Sequence, residues 1–323
     1  MSDTAQEPRL PHDPNWPRAG GWAALRPGEQ VDLAIIGVPT FSTSISPTGA
    51  NHTPAAIRSA LRRYSGHAVT VASPGARGDE RELVLDDALR IRDAGDVVDP
   101  DSDAGELAAI ARIHEVAAVA TLVVALGGDN ALTVPTALGV LGDSLSAGGL
   151  ITIDAHHDLR DGRSNGSPVR RLIEAGLDPR RIVQIGIADF ANSPVYRQRA
   201  RELGATVIHR DELLTRPLAD VAAEALSIAG AGGGPIHVDV DVDVCDRSVA
   251  PGCPASIPGG IAAHELRALV RLLTRSPLVR GLDIAEVDAT ADAPDGRTVR
   301  LAALVVLEAA TGLALRVDNT SMP

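Results

Sequence analysis

The chain has 323 residues, 45% of them hydrophobic, enough to bury the core of one large α/β domain or of two ordinary ones. Its formal charge is -12, from 30 basic and 42 acidic residues, and no basic cluster is present to track a phosphate backbone, which argues against nucleic acid as a partner. All 30 basic residues are arginine, and the absence of lysine removes Schiff-base chemistry and a Walker-type phosphate loop.

The first 29 residues, rich in Pro and Gly, read as an irregular leader, and residues 30–323 as a single domain. No apolar run approaches the roughly 20 residues of a membrane span, and the opening residues lack a basic start followed by an apolar stretch. The expectation is a cytoplasmic protein with no membrane partner. Short β-rich runs then alternate with stretches of helical period. In chain order the sequence predicts a strand over Val31–Val38 and a helix over Pro54–Tyr64, then an irregular excursion over Gly75–Asp103, on the surface or near a substrate mouth. A helix over Gly105–Val119 and strands over Thr121–Leu126 and Leu150–Asp154 follow. Next come a helix over Pro168–Ala175, a strand over Ile182–Ile187 and a helix over Pro194–Leu203. The last elements are a strand over Ile236–Val244, a helix over Ala263–Leu273, a strand over Leu282–Val287 and a helix over Arg300–Leu313. Several strands are continuously apolar, as in a mainly parallel sheet covered by helices on both faces, a three-layer α/β fold.

Ligands of open α/β sheets bind at the carboxyl ends of the strands, and three predicted strands close in polar residues. These ends read Gly127-Gly128-Asp129-Asn130, Asp154-Ala155-His156-His157-Asp158 and Asp239-Val240-Asp241-Val242-Asp243. With a strand period of two, Asp154, His156 and Asp158 would share one side, as would Asp241 and Asp243. Several desolvated carboxylates in one place cost several kcal/mol each unless cations neutralise them, so the pattern points to divalent metal. The oxygen-rich set suits Mn²⁺ better than a thiolate-seeking ion. Cys245 and Cys253 lack the spacing of a metal pair and read as packing residues. No nucleophile elbow occurs, and Gly230–Gly234 precedes a strand instead of following one, which argues against a dinucleotide cradle.

These residues resemble the ureohydrolase family, which includes arginase, agmatinase and formimidoylglutamase. GGDN at 127–130 is similar to the family's GGDH, DAHHD at 154–158 to its DAHxD, and DVDVCDRSVAPG at 241–252 to its DxDxxDPxxAPG. The resemblance covers nearly the whole chain and implies an arginase-like three-layer fold. It implies two Mn²⁺ per subunit, bridged by Asp154 and Asp241. Asp158 and Asn130 complete one site, and His156 and Asp243 the other. Asp158 and Glu286 are the implied catalytic carboxylates, Glu286 gripping the cationic nitrogens of an amidine whose carbon is attacked by activated water. Asn130 stands where the family has a histidine, so the first site is expected to be the weaker, and Arg247 stands where it prefers proline.

Residues 164–171 and 184–193 resemble formimidoylglutamases, and Asn165 stands where arginases carry a histidine. The implied reaction converts N-formimidoyl-L-glutamate and water to L-glutamate and formamide. A substrate with two carboxylates calls for cations near the metals, and Arg163, Arg170 and Arg171 are candidates by position, with Asn165 a further substrate-binding residue. The alternatives are agmatinase or a guanidino-acid amidinohydrolase, and a non-catalytic ligand-binding member with a weakened metal site. The resemblance also implies a homotrimer or hexamer.

Overall fold

The computed structural model describes residues 13–71 and 80–316. In chain order its elements are β1 (Val31–Val38), α1 (Thr53–Leu61), β2 (His67–Val71), β3 (Glu80–Val84), α2 (Leu85–Ala88) and β4 (Ile91–Asp96). Then come α3 (Asp103–Ala117), β5 (Ala120–Gly127), α4 (Thr133–Leu141), β6 (Gly149–Ile153), α5 (Pro168–Ala175), β7 (Ile182–Ile187) and α6 (Pro194–Leu203). The chain continues through β8 (Thr206–His209), α7 (Leu218–Ala229), β9 (Ile236–Asp241), α8 (Ala263–Thr274), β10 (Val279–Ala285) and α9 (Arg297–Ala314).

Eight strands form one parallel sheet in the order β4-β1-β5-β10-β9-β6-β7-β8, and β2 pairs antiparallel with β3 beside it. Side chains alternate across the sheet. Leu33 and Ile35 of β1, Ile151 and Ile153 of β6, and Val183 and Ile185 of β7 enter one core with α1, α7, α8 and α9. Ile36 and Val38 of β1 and Leu150 of β6 face the other layer, where α3, α4, α5 and α6 pack. Most of α9 is buried, and its Glu308 is met by Arg267 and Arg271 of α8. Local chemistry fixes the helix ends: α5 and α6 carry Pro in their first turn and stop at Gly176 and Gly204, both left-handed. Ser102 and Ser193 cap α3 and α6 by accepting from Gly105 N and Tyr196 N. Among the described residues no helix is long and apolar enough to cross a membrane.

The expected excursion at 75–103 corresponds only in part. Residues 75–79 lie outside the described residues, but 80–103 holds β3, α2 and β4, and β4 is an edge strand paired with β1. Its sequence, IRDAGD, lacks an apolar pattern because an edge strand is paired on one side only. The described part of the leader runs beside this edge, with Leu25 N bonded to Asp93 O and Asp93 N to Ala23 O.

The topology creates the site. After β5 the chain skips two positions to β6, builds outward to β8, and returns through β9 and β10 to fill the gap. The carboxyl ends of β5, β10, β9 and β6 therefore stand side by side where strand order reverses, the usual ligand crevice of an open parallel sheet.

Candidate metal centre

Each of these four strands hands over to a polar turn. The two glycines after β5 are required by close approach. A Cβ on Gly127 would lie 2.1 Å from Ile284 O, and one on Gly128 would lie 2.0 Å from Thr40 O. Asp129 N bonds to Thr40 O and Glu286 N to Gly128 O, so this turn knits the ends of β1, β5 and β10 together.

The turn after β6 differs from the extended segment expected. β6 ends at Ile153, residues 154–158 form a loop, and Asp158 adopts a left-handed φ of 52°. β9 likewise ends at Asp241, and Val242–Val244 form a single 3₁₀ turn. Loop curvature, not strand alternation, therefore gathers these ligands. Glu286, just past β10, is also left-handed, with φ 61°. For a non-glycine residue that conformation costs free energy and is retained where surrounding structure holds it.

The side chains converge. His156 Nδ1 lies 2.7 Å from Asp243 Oδ2 and 3.5 Å from Asp154 Oδ1. Asp243 Oδ1 accepts from Ala155 N, Asp241 Oδ1 from Asp243 N at 2.8 Å, and Asp154 Oδ1 from His156 N at 2.6 Å. Asn130 Nδ2 donates to Asp158 Oδ2 at 2.6 Å, and Asn130 Oδ1 accepts from Thr133 Oγ1 at 2.7 Å. Glu286 Oε1 accepts from Asn130 N at 2.8 Å and from Asn165 Nδ2 at 2.7 Å. Asn165 Oδ1 accepts from Ile45 N, so Asn165 links Glu286 to the loop over the mouth. The neighbouring His157 turns away, held by Gln184 at 2.7 Å.

Asp154, Asp158, Asp239, Asp241, Asp243 and Glu286 are all buried, with one imidazole among them. Burial and then repulsion from Asp243 push Asp154 up to about 7. Burial and neighbouring aspartates raise Asp158, Asp239 and Asp241 well above the usual carboxylate range. His156 resists its own burial and is held up to about 12 by Asp243 and Asp154, while Asp243, also against burial, is lowered by His156. Protein groups alone leave this charge uncompensated. Asp154 Oδ2 and both carboxylate oxygens of Asp239 have no hydrogen-bond partner. Two sets of ligand atoms lie within 4.8 Å of one another: Asp154, His156 and Asp243, and Asp154, Asp158 and Asp239. Asp154 belongs to both and would be shared if two cations were held there. The donor set thus fits two divalent ions with oxygen and imidazole ligands.

A cavity of about 280 Å³ opens above this floor, lined by His156, Asp158, Asp241, Asp243 and Glu286 below and by Arg160, Asn165, Tyr196 and Pro254 towards the mouth. Larger cavities of about 620 Å³ beside Trp16 and Arg271, and about 450 Å³ beside His114 and Arg280, contain none of these carboxylates.

A profile of the arginase family matches residues 31–312, nearly the whole described chain. The chain belongs to the arginase family. It is 35% identical over 303 residues to the formimidoylglutamase of Halalkalibacterium halodurans, with 90% of each covered. To the guanidinopropionase of Pseudomonas aeruginosa it is 34% identical over 319 residues, covering 95% of this chain and 93% of that one. The crystal structure of formimidoylglutamase from Bacillus subtilis superposes with a TM-score of 0.82 at 29% identity, covering 98% of this chain and 96% of that one. Like these arginase-family relatives, the chain is a hydrolase of C–N bonds.

The arginines singled out by position do not line the cavity of this arginase-family site. Arg163 pairs with Asp103 and Glu106, Arg171 with Glu106 at 2.6 Å, and Arg170 with Glu174. Arg160, which sequence reasoning passed over, does line it, and among the described residues it has no ion-pair partner. Its position two residues after Asp158 was the available signal. Asp239 was also passed over, although it is the first aspartate of the DVDVD run at the end of β9. Cys245 and Cys253 are free and buried, and burial pushes both thiols up, as suits packing residues.

Proposed function

We propose that the chain hydrolyses N-formimidoyl-L-glutamate to L-glutamate and formamide, a late step of histidine breakdown, with two Mn²⁺ per subunit. The observation that carries this reading is Asp154, common to two buried ligand groups on the floor of a cavity sized for a small molecule. One ion would be held by Asp154, His156, Asp241 and Asp243, the other by Asp154, Asp158 and Asp241, with Asn130 the weakest donor. Bound there, such ions lower the pKa of water and stabilise charge developing on the amidine.

The protein's own groups place the substrate. Glu286 Oε1 is taken by Asn130 N and Asn165 Nδ2, which leaves Oε2 for the amidinium nitrogens. Asp158 lines the cavity, and in this reading it takes a proton from the attacking water and returns it to the leaving nitrogen, so that the C–N bond breaks to a neutral amine. Arg160 offers a guanidinium at the mouth for a substrate carboxylate. The leaving group is then glutamate, and the carbon departs as formamide. Cytoplasmic residence and a trimeric or hexameric assembly belong to the same reading.

A guanidino acid is the second reading, favoured by the likeness to the guanidinopropionase over 95% of this chain. A third is a binding protein that has kept the scaffold without catalysis, favoured by the amide at Asn130. Turnover of formimidoylglutamate, 3-guanidinopropionate, 4-guanidinobutyrate, agmatine and arginine in excess Mn²⁺ separates them. Formamide from the first substrate at the highest kcat/KM is expected. Urea from a guanidino acid at higher kcat/KM overturns the assignment in favour of the second reading, and no turnover of any amidine favours the third.

A further inference from the structure

We propose that Asp239 is a ligand of the metal ion nearer Asn130 and supplies the further donor that Asn130 gives only weakly. The inference rests on the two-metal reading above and assigns a residue that the motif resemblance does not.

Asp239 lies on β9 two residues before Asp241, on the same face of the strand and one step deeper. It is fully buried, and neither carboxylate oxygen has a hydrogen-bond partner. A buried carboxylate without a donor is uncommon in folded proteins and calls for a ligand. Its register partner on β10, Asp283, is engaged: Oδ2 lies 2.6 Å from His237 Nε2, and Oδ1 is 3.4 Å from Thr133 Oγ1. Asp239 has no donor of this kind, and Asp283 meets it only as a neighbouring acid. Also within reach are Asp154 and Asp158, whose ligand oxygens and its own lie within 4.8 Å of one another. A cation among the three would take one oxygen from each.

Asn130 explains the need. Its amide turns Nδ2 to Asp158, so as placed it offers a proton and not a lone pair to a cation. Even turned over, a neutral amide oxygen is a weaker donor than an imidazole nitrogen for a transition-metal ion. A fourth carboxylate from the strand below restores donor number and adds charge. The site beside His156 has its imidazole and shows no comparable approach of Asp239, so the effect should be confined to one ion.

The competing account is that Asp239 carries a proton and donates a hydrogen bond to a neighbouring aspartate. Asp239→Asn separates the two, because an amide keeps a donor in the same place and loses the anion. The experiment is Mn²⁺ titration by calorimetry, with the paramagnetic resonance spectrum followed in parallel, on the parent chain, Asp239→Asn, Asn130→His and the double variant. Melting of the metal-free forms reports folding. In Asp239→Asn, one of the two Mn²⁺ dissociation constants should rise at least tenfold and the other stay within about twofold, with the spin-coupled pair signal giving way to that of an isolated ion. Metal-free Asp239→Asn should melt no lower than the parent, since an unpaired buried carboxylate has been removed. In the Asn130→His background the same change should matter less, because the imidazole has restored a donor.

Two unchanged constants in a folded Asp239→Asn protein overturn the assignment. If that variant does not fold, Asp239→Ser is read in the same way. A parent that binds fewer than two Mn²⁺ removes the centre on which the function and this inference both rest. A parent that binds two, with Asp239→Asn indistinguishable from it, overturns the inference alone.

Discussion

Replacing Asn130 by histidine probes how the centre is divided, and its destabilising effect should shrink when metal binds. In the metal-free protein the amide makes a hydrogen bond to the Asp158 carboxylate and another to the Thr133 hydroxyl, both in the interior. Removing a bond to a charged partner costs about 2 kcal/mol, and a neutral one about 1. The metal-free variant should thus be less stable by about 3 kcal/mol. Unfolding entropy of about 2.1 cal/mol/K per residue, over 323 residues, is roughly 0.7 kcal/mol/K, which turns that loss into a fall in Tm of about 4 °C. With metal bound, most of that loss is recovered. The parent amide must turn Oδ1 towards the ion. Thr133 tolerates this, because a hydroxyl accepts from Nδ2 as readily as it donates to Oδ1, but the bond to Asp158 is lost. An imidazole gives its lone pair at no such cost. One Mn²⁺ should therefore bind roughly tenfold to a hundredfold more tightly, a gain of about 1.4–2.8 kcal/mol that offsets most of the destabilisation. The assay is scanning calorimetry of parent and variant in EDTA and in saturating MnCl₂, with Mn²⁺ titration of each. A variant that melts lower by the same amount in both conditions, with unchanged Mn²⁺ affinity, would show that Asn130 is structural and not a ligand.

Metal removal should be most damaging at high pH. Asp154 is held at about 7 and Asp129 likewise, in both cases first by burial, so between their ordinary value of 3.8 and about 7 the metal-free fold binds more protons than the unfolded chain. Its stability therefore falls as pH rises through that window. His156, held up to about 12, acts in the same direction: its stabilising contribution is complete below 6.5 and is lost as pH rises towards about 12. Cations replace these protons, so the Tm gained on adding Mn²⁺ should be larger at about pH 8 than at about pH 5.5, and an equal or smaller gain would count against the centre. For the mouth, Arg160→Ala should raise KM for formimidoylglutamate roughly tenfold or more with kcat within a few-fold. Arg171→Ala, which removes one of the two arginine partners of Glu106, should leave KM unchanged; steady-state kinetics showing the reverse would return the carboxylate contact to the arginines of α5.

The sequence by itself determined which strands form the middle of the sheet and which residue types gather at their ends. Val31–Val38 and Ile182–Ile187 were legible to the residue, because a strand buried on both faces must be apolar along most of its length. β4 and β8 were not, since an edge strand need satisfy only one neighbour, and α4 was missed because a helix buried on every side has no polar face to set a period. The acidic ends of β6 and β9 were equally legible as chemistry, but the geometry inferred for them was wrong. Asp154, His156, Asp158 and Asp243 lie past the strands, and the left-handed turn at Asp158 directs them, a feature that no spacing rule contains. Tertiary structure alone decided the rest. The return of β9 and β10 into the gap between β5 and β6 sets Glu286 against Asn130 and Asn165 and brings Asp239 without a hydrogen-bond partner up to Asp154 and Asp158, while Arg163, Arg170 and Arg171 find acidic partners away from the cavity that Arg160 lines. The contacts of Glu286 and Asp239 join residues carried by different strands and the turns beyond them, fixed by which strands are neighbours. A linear pattern records what each strand carries but not which strand stands beside it.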